Sequence, residues 1–432
     1  MEISNELQTA IDHHRHGRID RAREGYDAVL TAEPDNVHAL SVSAILLSQL
    51  GDDNTAIKRL QRAIELEPRN ASLHNNLGNI FRRRDREEEA FEAYRTAILA
   101  DPQHVDSICN LAVMVRARGA IDDALAIFGQ ALAVDPDHVE SNHNLGVTLS
   151  LLGRNEEAAD CFERCYSGGR LPVVDPSWHA QTLDHLGRHQ RAVEILEAHA
   201  AARPDDAVAK HYLAAIRGER LQRASNAYVR EHFDVFAQNF DEVLARLKYK
   251  GPEIVAGIVN EMCERGPAGM LYDLGCGTGL LGPRIRQSAK VLIGVDLSPR
   301  MLERAGRRKV YDELIVCEIT DALTQIPQHS VDMAVAVDTL IYFGDLAPIF
   351  AGLHRSLKTG GAFIATVESH ADDDPAGGSK ILPSGRFSHS AAYIRETAAA
   401  NGLKPHALLP IELRLEHGEP VTGLVFMLEN LA

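Results

Sequence analysis

The sequence predicts a two-part fold, an all-α solenoid of helical repeats over residues 1–218 and an α/β domain with a mainly parallel sheet over residues 219–432. Three observations predict it. Proline and alanine recur every 34 residues through the first half. Short runs of Val, Ile and Leu alternate with helical stretches from about residue 250. A glycine-rich turn, typical of sheets that bind ligands, follows the first of these runs.

Composition excludes several classes of protein. The 432 residues carry a formal net charge of −16 and include six cysteines, with no Cys-x-x-Cys pair. This balance disfavours non-specific nucleic-acid binding, which needs clustered Lys and Arg, and the cysteine pattern predicts no metal site. No run of about 20 apolar residues could span a membrane. No secretory signal is recognisable, so we expect reduced thiols and a cytoplasmic location.

The repeats occupy about residues 3–206 as six units without insertion. An alanine slot holds Ala22, Ala56, Ala90, Ala124, Ala158 and Ala192. A glycine slot holds Gly17, Gly51, Gly119, Gly153 and Gly187, with Asp85 in the remaining unit. We expect these small residues to let two antiparallel helices approach, with a bulky residue four positions after each alanine filling the space between them. Proline marks the turn into the next unit at Pro34, Pro68, Pro102, Pro136 and Pro204, whereas Arg170 fills that slot in the fifth unit. The segment Ala207–Gly218 is predicted to close the stack.

This pattern resembles the tetratricopeptide repeat (TPR) family, which implies a concave face that binds a protein or peptide. Asn76, Asn110 and Asn144 share one slot in three successive units. A similar line of asparagines in O-linked N-acetylglucosamine transferases holds the backbone of an extended peptide, a task that suits an amide because it both donates and accepts hydrogen bonds. We predict that these three residues bind a partner. The alternative is that asparagine is merely common before Leu-Gly in such repeats.

The second half is predicted to form a parallel sheet covered by helices on both faces, with an antiparallel hairpin at its end. The strands are expected at Met270–Leu274, Val291–Asp296, Leu314–Cys317, Met333–Val337 and Ala362–Val367, and the hairpin at Leu408–Leu415 and Val421–Leu428. The turn of that hairpin is expected at residues 417–420.

The turn after the first of these strands has the features of a nucleotide-binding site. Asp296 ends the second strand, 21 residues after Gly275, where a carboxylate can accept hydrogen bonds from both ribose hydroxyls. Dinucleotides and S-adenosylmethionine both use this layout. Leu280 stands where the dinucleotide fingerprint requires glycine, and Asp273 would repel a pyrophosphate but favour a cationic methionine end. No Gly-Lys-Ser/Thr follows, which excludes a phosphate-binding P-loop. S-adenosylmethionine is therefore favoured.

From about residue 225 onward the chain resembles class I S-adenosylmethionine-dependent methyltransferases, which have a Rossmann-like fold. The resemblance implies that S-adenosyl-L-homocysteine is the product. It implies that the glycine-rich turn contacts the amino-acid part of the cofactor and that the end of the second strand contacts its ribose. Residues after the third strand would contact adenine, although Asp is more usual there than Glu. Residues after the fourth strand would lie near the adenine or the methyl group. The implied cofactor-binding residues are Asp273, Gly275, Cys276, Gly277, Gly279, Asp296, Leu297, Glu318, Ile319, Asp338 and Leu340. The whole chain is similar to predicted bacterial methyltransferases with TPR.

Two segments are candidates for the acceptor side. The first contains Tyr228, Phe233, Phe236 and Phe240, with the last three predicted on one face of a helix. The resemblance implies that such a helix folds over the cofactor. The second follows the fifth strand: residues 371–380 form a loop that could gate access, and Arg386, His389 and Tyr393 come after it. We predict Tyr342, Arg386 and His389 as catalytic, with Arg386 pairing an acceptor carboxylate and His389 taking a proton. The alternatives are core packing for the aromatic residues, an internal ion pair for Arg386 and a helix cap for His389.

The sequence thus predicts a methyltransferase whose repeats recruit or present the acceptor, with a protein or peptide slightly favoured. A small-molecule acceptor with the repeats as a docking module stays open, as does an adaptor with a non-catalytic domain. Other adenosyl chemistry, such as aminopropyl transfer, is a further alternative. Asp338-Thr339-Leu340-Ile341 replaces the Asn/Asp-Pro-Pro-Tyr run used on amide and base nitrogens. Oxygen, sulfur and amine acceptors therefore stay open, as does the oligomeric state.

Overall fold

The computed structural model describes residues 2–166, 175–237, 240–375, 377–416 and 419–431. The described chain begins with six helix pairs and a thirteenth helix, which confirms the predicted all-α repeat region. The helices are α1 Glu2–Arg15, α2 Ile19–Ala32, α3 Val37–Gln49, α4 Asp53–Leu66, α5 Ala71–Arg83, α6 Glu87–Ala100, α7 Val105–Ala117, α8 Ile121–Val134, α9 Val139–Leu151, α10 Asn155–Arg164, α11 Ser177–His185, α12 His189–Ala202 and α13 Ala207–Ile216.

The repeated slots have two different physical causes. Every alanine of the alanine slot is fully buried, and a Cβ placed on Gly78 would lie 2.6 Å from Cε1 of Tyr94, so packing sets these positions. The glycine slot is different, and the expectation of close packing there is wrong. A Cβ on Gly17 or Gly51 would meet nothing within 4 Å. These glycines have positive φ angles, as does Asp85 at 56°, so the slot selects the left-handed conformation that ends each first helix.

The second part is an α/β domain, as predicted. Its elements are α14 Asn226–Phe236, α15 Phe240–Arg246, α16 Gly251–Met262, β1 Ala268–Leu274, α17 Gly282–Ile285, β2 Ala289–Asp296, α18 Pro299–Arg307, β3 Glu313–Val316, α19 Ile319–Gln325, β4 Val331–Ala336, α20 Ala347–Ser356, β5 Leu357–Ser369, β6 Ser379–Ile381, β7 Phe387–His389, α21 Ala391–Ala400, β8 Leu403–Glu416 and β9 Glu419–Asn430.

The sheet places the ends of β1 and β4 side by side at the point where strand order reverses. Its order is β3-β2-β1-β4-β5-β7-β6, and β9 pairs antiparallel with both β5 and β8. All the predicted strands and the terminal hairpin are present, although His417 and Gly418 of its turn lie outside the described residues. The β6–β7 hairpin was not predicted, and it begins within the segment expected to be a loop. None of the described helices is long and apolar enough to cross a membrane.

Contacts divide the chain into two compact units. The second unit includes everything described from Asp175 onward together with Leu149–Ala159, so α11–α13 group with the α/β domain. Within this unit, the ring of His211 on α13 stacks on Tyr228 of α14 at 3.8 Å between centroids. Its Nε2 donates to the carbonyl of Gly385 at 2.7 Å. The domain boundary predicted between residues 218 and 219 marks where the repeat sequence ends, and it stays a prediction.

We expect a fragment beginning at residue 175 to be more stable than one beginning at residue 219. The shorter fragment loses His211 and exposes the buried ring of Tyr228, which should lower the free energy of unfolding by about 2 kcal/mol or more. Urea denaturation of the two fragments measures the difference. Equal stabilities would show that α11–α13 do not support the α/β domain.

Candidate active site

The glycine turn after β1 is held against β2 and remains open at its centre. The backbone N–H groups of Gly275 and Cys276 both donate to the carbonyl of Val295, at 2.7 and 3.0 Å. Gly277 has a φ of 55°, and a Cβ there would meet only Cε1 of Phe240, at 3.7 Å. A Cβ on Gly279 would lie 2.9 Å from the ring of Tyr311. The backbone at Gly277 is therefore accessible to a ligand, whereas its neighbours are fixed by packing.

Two carboxylates flank this turn, that of Asp273, which is buried, and that of Asp296, which is half-buried. Asp296 Oδ2 accepts from the Gly277 N–H and Oδ1 from the Ser298 N–H, each at 2.8 Å. Burial raises the pKa of Asp296 to about 6, although these bonds and one from the Leu297 N–H oppose the rise. Burial also raises the pKa of Asp273 to about 7, opposed by the hydroxyl of Tyr311, which donates to its Oδ2 at 2.7 Å. A bound hydroxyl or cationic group would favour the ionised forms of both acids.

The pair predicted to meet adenine lies at the end of the neighbouring strand. The Cys317 N–H donates to the carbonyl of Asp296 at 3.0 Å, so Glu318 and the ribose candidate lie on adjacent strand ends. Glu318 is the N-cap residue of α19, and its Oε2 accepts hydrogen bonds from the N–H groups of Thr320 and Asp321. Its Oε1 lies 3.4 Å from the guanidinium of Arg223. The side chain of Ile319 is buried in the core, so it offers no exposed apolar surface.

Helices α14 and α15 are tied to the loop after β2 and to the glycine turn itself, respectively. The hydroxyl of Ser298 donates to Asp234 at 2.5 Å, and the hydroxyl of Thr278 donates to Asp241. The sequence prediction of one continuous helix through Phe240 is wrong, because α14 ends at Phe236. Phe233 and Phe236 nevertheless both contact Phe240, with ring centroids 6.1 and 5.5 Å apart. Sequence reasoning missed Asp234 and Asp241 because nothing local marks their distant hydroxyl partners.

The aromatic residues predicted for the acceptor side form a packed cluster. Tyr342 follows β4, and its ring meets Phe233 edge-on at 5.4 Å and Tyr228 at 6.4 Å. Tyr228 is almost fully buried. Leu340, two residues before Tyr342, is also buried and belongs to the hydrophobic core of the α/β domain. The structure thus brings Tyr228, Phe233 and Tyr342 together and leaves Tyr342 half-buried.

Arg386 lies in an internal ion-pair network. It donates to Glu368 on β5 at 2.5 Å and binds both carboxylate oxygens of Glu416 on β8, at 2.7 and 2.6 Å. Arg414 on β8, which sequence reasoning missed, joins the same acids and also donates to Asp338 at 2.7 Å. These pairs match the internal ion pair considered as the alternative for Arg386. Its guanidinium is already engaged by the chain's own acids, so the geometry does not favour the pairing with an acceptor carboxylate.

His389 and Tyr393 are hydrogen-bonded to the backbone of residues 343–346, which follow β4. His389 is fully buried, and its Nε2 donates to the carbonyl of Phe343 at 2.8 Å. Burial lowers the pKa of His389 to about 4, so the ring is neutral at pH 7. Tyr393 stacks on it at 5.8 Å, and its hydroxyl accepts from the Leu346 N–H. This environment is that of a structural histidine rather than of a base that meets an acceptor.

We expect His389→Leu to destabilise the protein by about 1–3 kcal/mol, because the carbonyl of Phe343 loses its buried donor. In His389→Gln the amide can donate from nearly the position of Nε2, so most of the stability should be retained. Chemical denaturation and cofactor affinity measure the effects. Full stability of His389→Leu with lost turnover would instead restore the predicted catalytic role.

The three slot asparagines are half-buried and bonded within the repeats. Asn110 Nδ2 donates to Asn75 Oδ1 of the preceding unit at 3.0 Å, and Asn76 Nδ2 lies 3.4 Å from Ser41 Oγ. Asn144 Nδ2 donates to the carbonyl of Glu140 at 2.9 Å. Asn76 and Asn110 therefore link successive units, and binding of a peptide by the three amides stays a prediction.

Comparisons with known proteins match both halves of the chain. A model of the methyltransferase domain matches residues 272–365, and models of the tetratricopeptide repeat match residues 46–83, 71–104 and 115–164. The chain is 29% identical to Methyltransferase-like protein 27 of Homo sapiens, over 25% of this chain and 45% of that protein. It is 30% identical to the 18S rRNA (guanine(1575)-N(7))-methyltransferase of Saccharomyces cerevisiae, over 29% and 52%. It is 29% identical to the malonyl-[acyl-carrier protein] O-methyltransferase of Serratia marcescens, over 23% and 38%.

The chain spans about half the length of these relatives or less. The names of two of these relatives give different methyl acceptors, a guanine of ribosomal RNA and a malonyl-[acyl-carrier protein]. A methyltransferase domain and tetratricopeptide repeats are thus both present in this chain, which confirms the two-part resemblance.

Proposed function

We propose that this protein is an S-adenosylmethionine-dependent methyltransferase whose repeats recruit the acceptor, with a protein or peptide acceptor favoured. The open backbone at Gly277, flanked by Asp273 and Asp296, is the observation that carries the proposal. The match to the methyltransferase domain over residues 272–365 supports it, because that range contains the whole of this turn.

The residues of the turn fit S-adenosylmethionine. Asp296 is desolvated and holds the Gly277 N–H, so its carboxylate is fixed where ribose hydroxyls could donate to it. Asp273, also desolvated, favours a cationic group nearby. When bound, the cofactor supplies a methyl group already activated on a sulfonium. The chain then has to hold the acceptor in line and exclude water, which can contribute about 7–11 kcal/mol in favourable cases. Helices α14 and α15 suit this task because α14 is bonded to the loop after β2 and α15 to the glycine turn itself.

Recruitment of a protein acceptor is supported by the repeats, which generally mediate protein–protein contacts. A small-molecule acceptor is the second candidate. It is favoured by the packed rings of Tyr228, Phe233 and Tyr342, which suit an enclosed apolar site better than an open peptide groove.

Transfer of label from methyl-tritiated S-adenosylmethionine to a cell extract tests the proposal. The extract is separated into macromolecular and small-molecule fractions after incubation with the full-length protein or with Asp296→Ala. We expect label in a protein band with the wild-type protein and none with the variant. Label confined to the small-molecule fraction would contradict the protein acceptor, and no transfer would contradict the methyltransferase activity.

A further inference from the structure

Five charged side chains meet where β4 and β5 end. Arg414 donates to Asp338 and Glu416, each at 2.7 Å, and pairs with Glu368. Arg386 pairs with Glu368 and Glu416 at 2.5 and 2.6 Å. Three carboxylates thus share two guanidinium groups, which leaves one negative charge in excess within the cluster.

Asp338 has one carboxylate oxygen that neither guanidinium of this network binds. Arg414 binds its Oδ2, whereas its Oδ1 is buried and has no hydrogen-bond partner among the described residues. The backbone is held in place at this point. Asp338 has a φ of 57°, unusual for a residue other than glycine, and its N–H donates to the hydroxyl of Thr366 at 2.8 Å. A buried carboxylate oxygen without a partner is costly, so a group that donates a hydrogen bond to it would be favoured there.

The loop that begins at Asp338 packs on the glycine turn. The next residue, Thr339, packs on the turn so closely that a Cβ on Gly275 would lie 2.3 Å from its Cγ2. Its hydroxyl donates to the carbonyl of Gly275 at 3.3 Å. The loop continues to Tyr342, whose ring is packed against Phe233. Aromatic rings close to a carboxylate are favourable surroundings for a cation.

We infer that the methyl acceptor is an amine and that Asp338 Oδ1 binds its ammonium group. This inference rests on the proposed methyltransferase function and names its acceptor class. The cluster disfavours a carboxylate acceptor, because Arg386 and Arg414 are both paired with acids of the chain and the excess charge is negative. An ammonium group supplies the missing donor and the missing positive charge together.

The chemistry of such a site balances. The bound ammonium gives one proton to Asp338 Oδ1, which frees the lone pair of its nitrogen. That pair forms the new N–C bond to the methyl carbon while the S–C bond breaks and its electrons stay on sulfur. The positive charge passes from sulfur to nitrogen, and Asp338 releases its proton to solvent. Burial raises the pKa of Asp338, although Arg414 opposes the rise, so the side chain is suited to hold a proton briefly.

Chemical blocking of the extract tests the acceptor class with the unaltered protein. Primary amines of the extract are acetylated, thiols are alkylated in a parallel sample, and the reagents are removed before methyl-tritiated S-adenosylmethionine is added. We expect acetylation to lower incorporation at least about tenfold, because it removes the ammonium group that Asp338 would bind, and alkylation to leave it unchanged. Label that survives acetylation, or that mild alkali releases as methanol from an ester, would overturn the inference. No transfer to the untreated extract would instead contradict the proposed function itself.

Asp338→Asn tests the assigned residue, with Glu412→Gln as the control that removes an exposed carboxylate from β8. We expect turnover to fall about a hundredfold in Asp338→Asn while the affinity for S-adenosylhomocysteine, measured by calorimetry, changes less than about twofold. An equal loss of that affinity would overturn the inference, because Asp338 would then bind the cofactor, as the sequence predicted. If Asp338→Asn does not fold, the blocked extracts decide the acceptor class alone.

Discussion

Asp296→Ala is expected to raise the dissociation constant for S-adenosylmethionine about a hundredfold. In the proposed function its carboxylate accepts hydrogen bonds from two ribose hydroxyls, and each such charge-assisted bond contributes about 1.5–3 kcal/mol. The substitution also frees the N–H groups of Gly277 and Ser298, which Asp296 holds at 2.8 Å, so the turn loses its shape as well. Isothermal titration calorimetry measures the effect directly.

Glu303→Ala is the matched control, since it removes an exposed carboxylate from α18, just beyond Asp296. Its affinity should equal that of the wild-type protein. The pKa of Asp296, raised to about 6, adds a second check. Ribose hydroxyls need the ionised carboxylate, so wild-type affinity should weaken as the pH falls from about 8 to about 5. An unchanged affinity in Asp296→Ala would remove this residue from the site.

Arg414→Leu is expected to lower the free energy of unfolding by about 3–5 kcal/mol, the usual cost of breaking a buried ion pair. The substitution leaves Asp338, Glu368 and Glu416 with Arg386 as the one guanidinium of the cluster. The Arg414 side chain is only 3% exposed, so water cannot replace it. Lys250→Met, which breaks the exposed pair with Glu412, is the control and should cost less than about 1 kcal/mol.

The difference between Arg414→Leu and the wild-type protein should shrink in acid. Burial alone would raise the pKa of Glu416, but Arg386 and Arg414 outweigh it and lower the pKa to about 2. A carboxylate with a lowered pKa stabilises the wild-type fold above its unfolded pKa, and this contribution is lost as the pH falls from about 4.5 towards 2. Urea denaturation across this range measures both proteins. A loss below about 1 kcal/mol at neutral pH would show that the cluster is not a unit.

The repeats could be predicted closely because each slot has a local cause. The burial of Ala22 and its equivalents and the tight contact at Gly78 follow from the period alone. Asp85 is instructive, since it occupies the glycine slot and adopts the same left-handed backbone. The slot therefore records a φ angle, which spacing alone did not distinguish from close packing.

The α/β domain was predictable where apolar runs mark strands, and less so where long-range pairs set the structure. The glycine turn and Asp296 were found because both lie in a short, regular motif. The sequence favours an acceptor role for Arg386 because its actual partners, Glu368 and Glu416, lie 18 and 30 residues away, and no local pattern connects them to it. His389 was assigned as a base because its burial depends on the β6–β7 hairpin, whose polar residues give no strand pattern. Arg414 belongs to a strand with no local sign of a charged cluster.

Formation of S-adenosylhomocysteine is the measurement that tests the central claim most directly. The full-length protein is incubated with S-adenosylmethionine and extract, and the adenosyl products are separated by mass. Methyl transfer predicts many equivalents of S-adenosylhomocysteine per protein molecule, and far fewer with Asp296→Ala when S-adenosylmethionine is kept near the wild-type dissociation constant. Methylthioadenosine in its place would indicate transfer of the 3-amino-3-carboxypropyl group, and the absence of any turnover would contradict the assignment of this site as a methyltransferase.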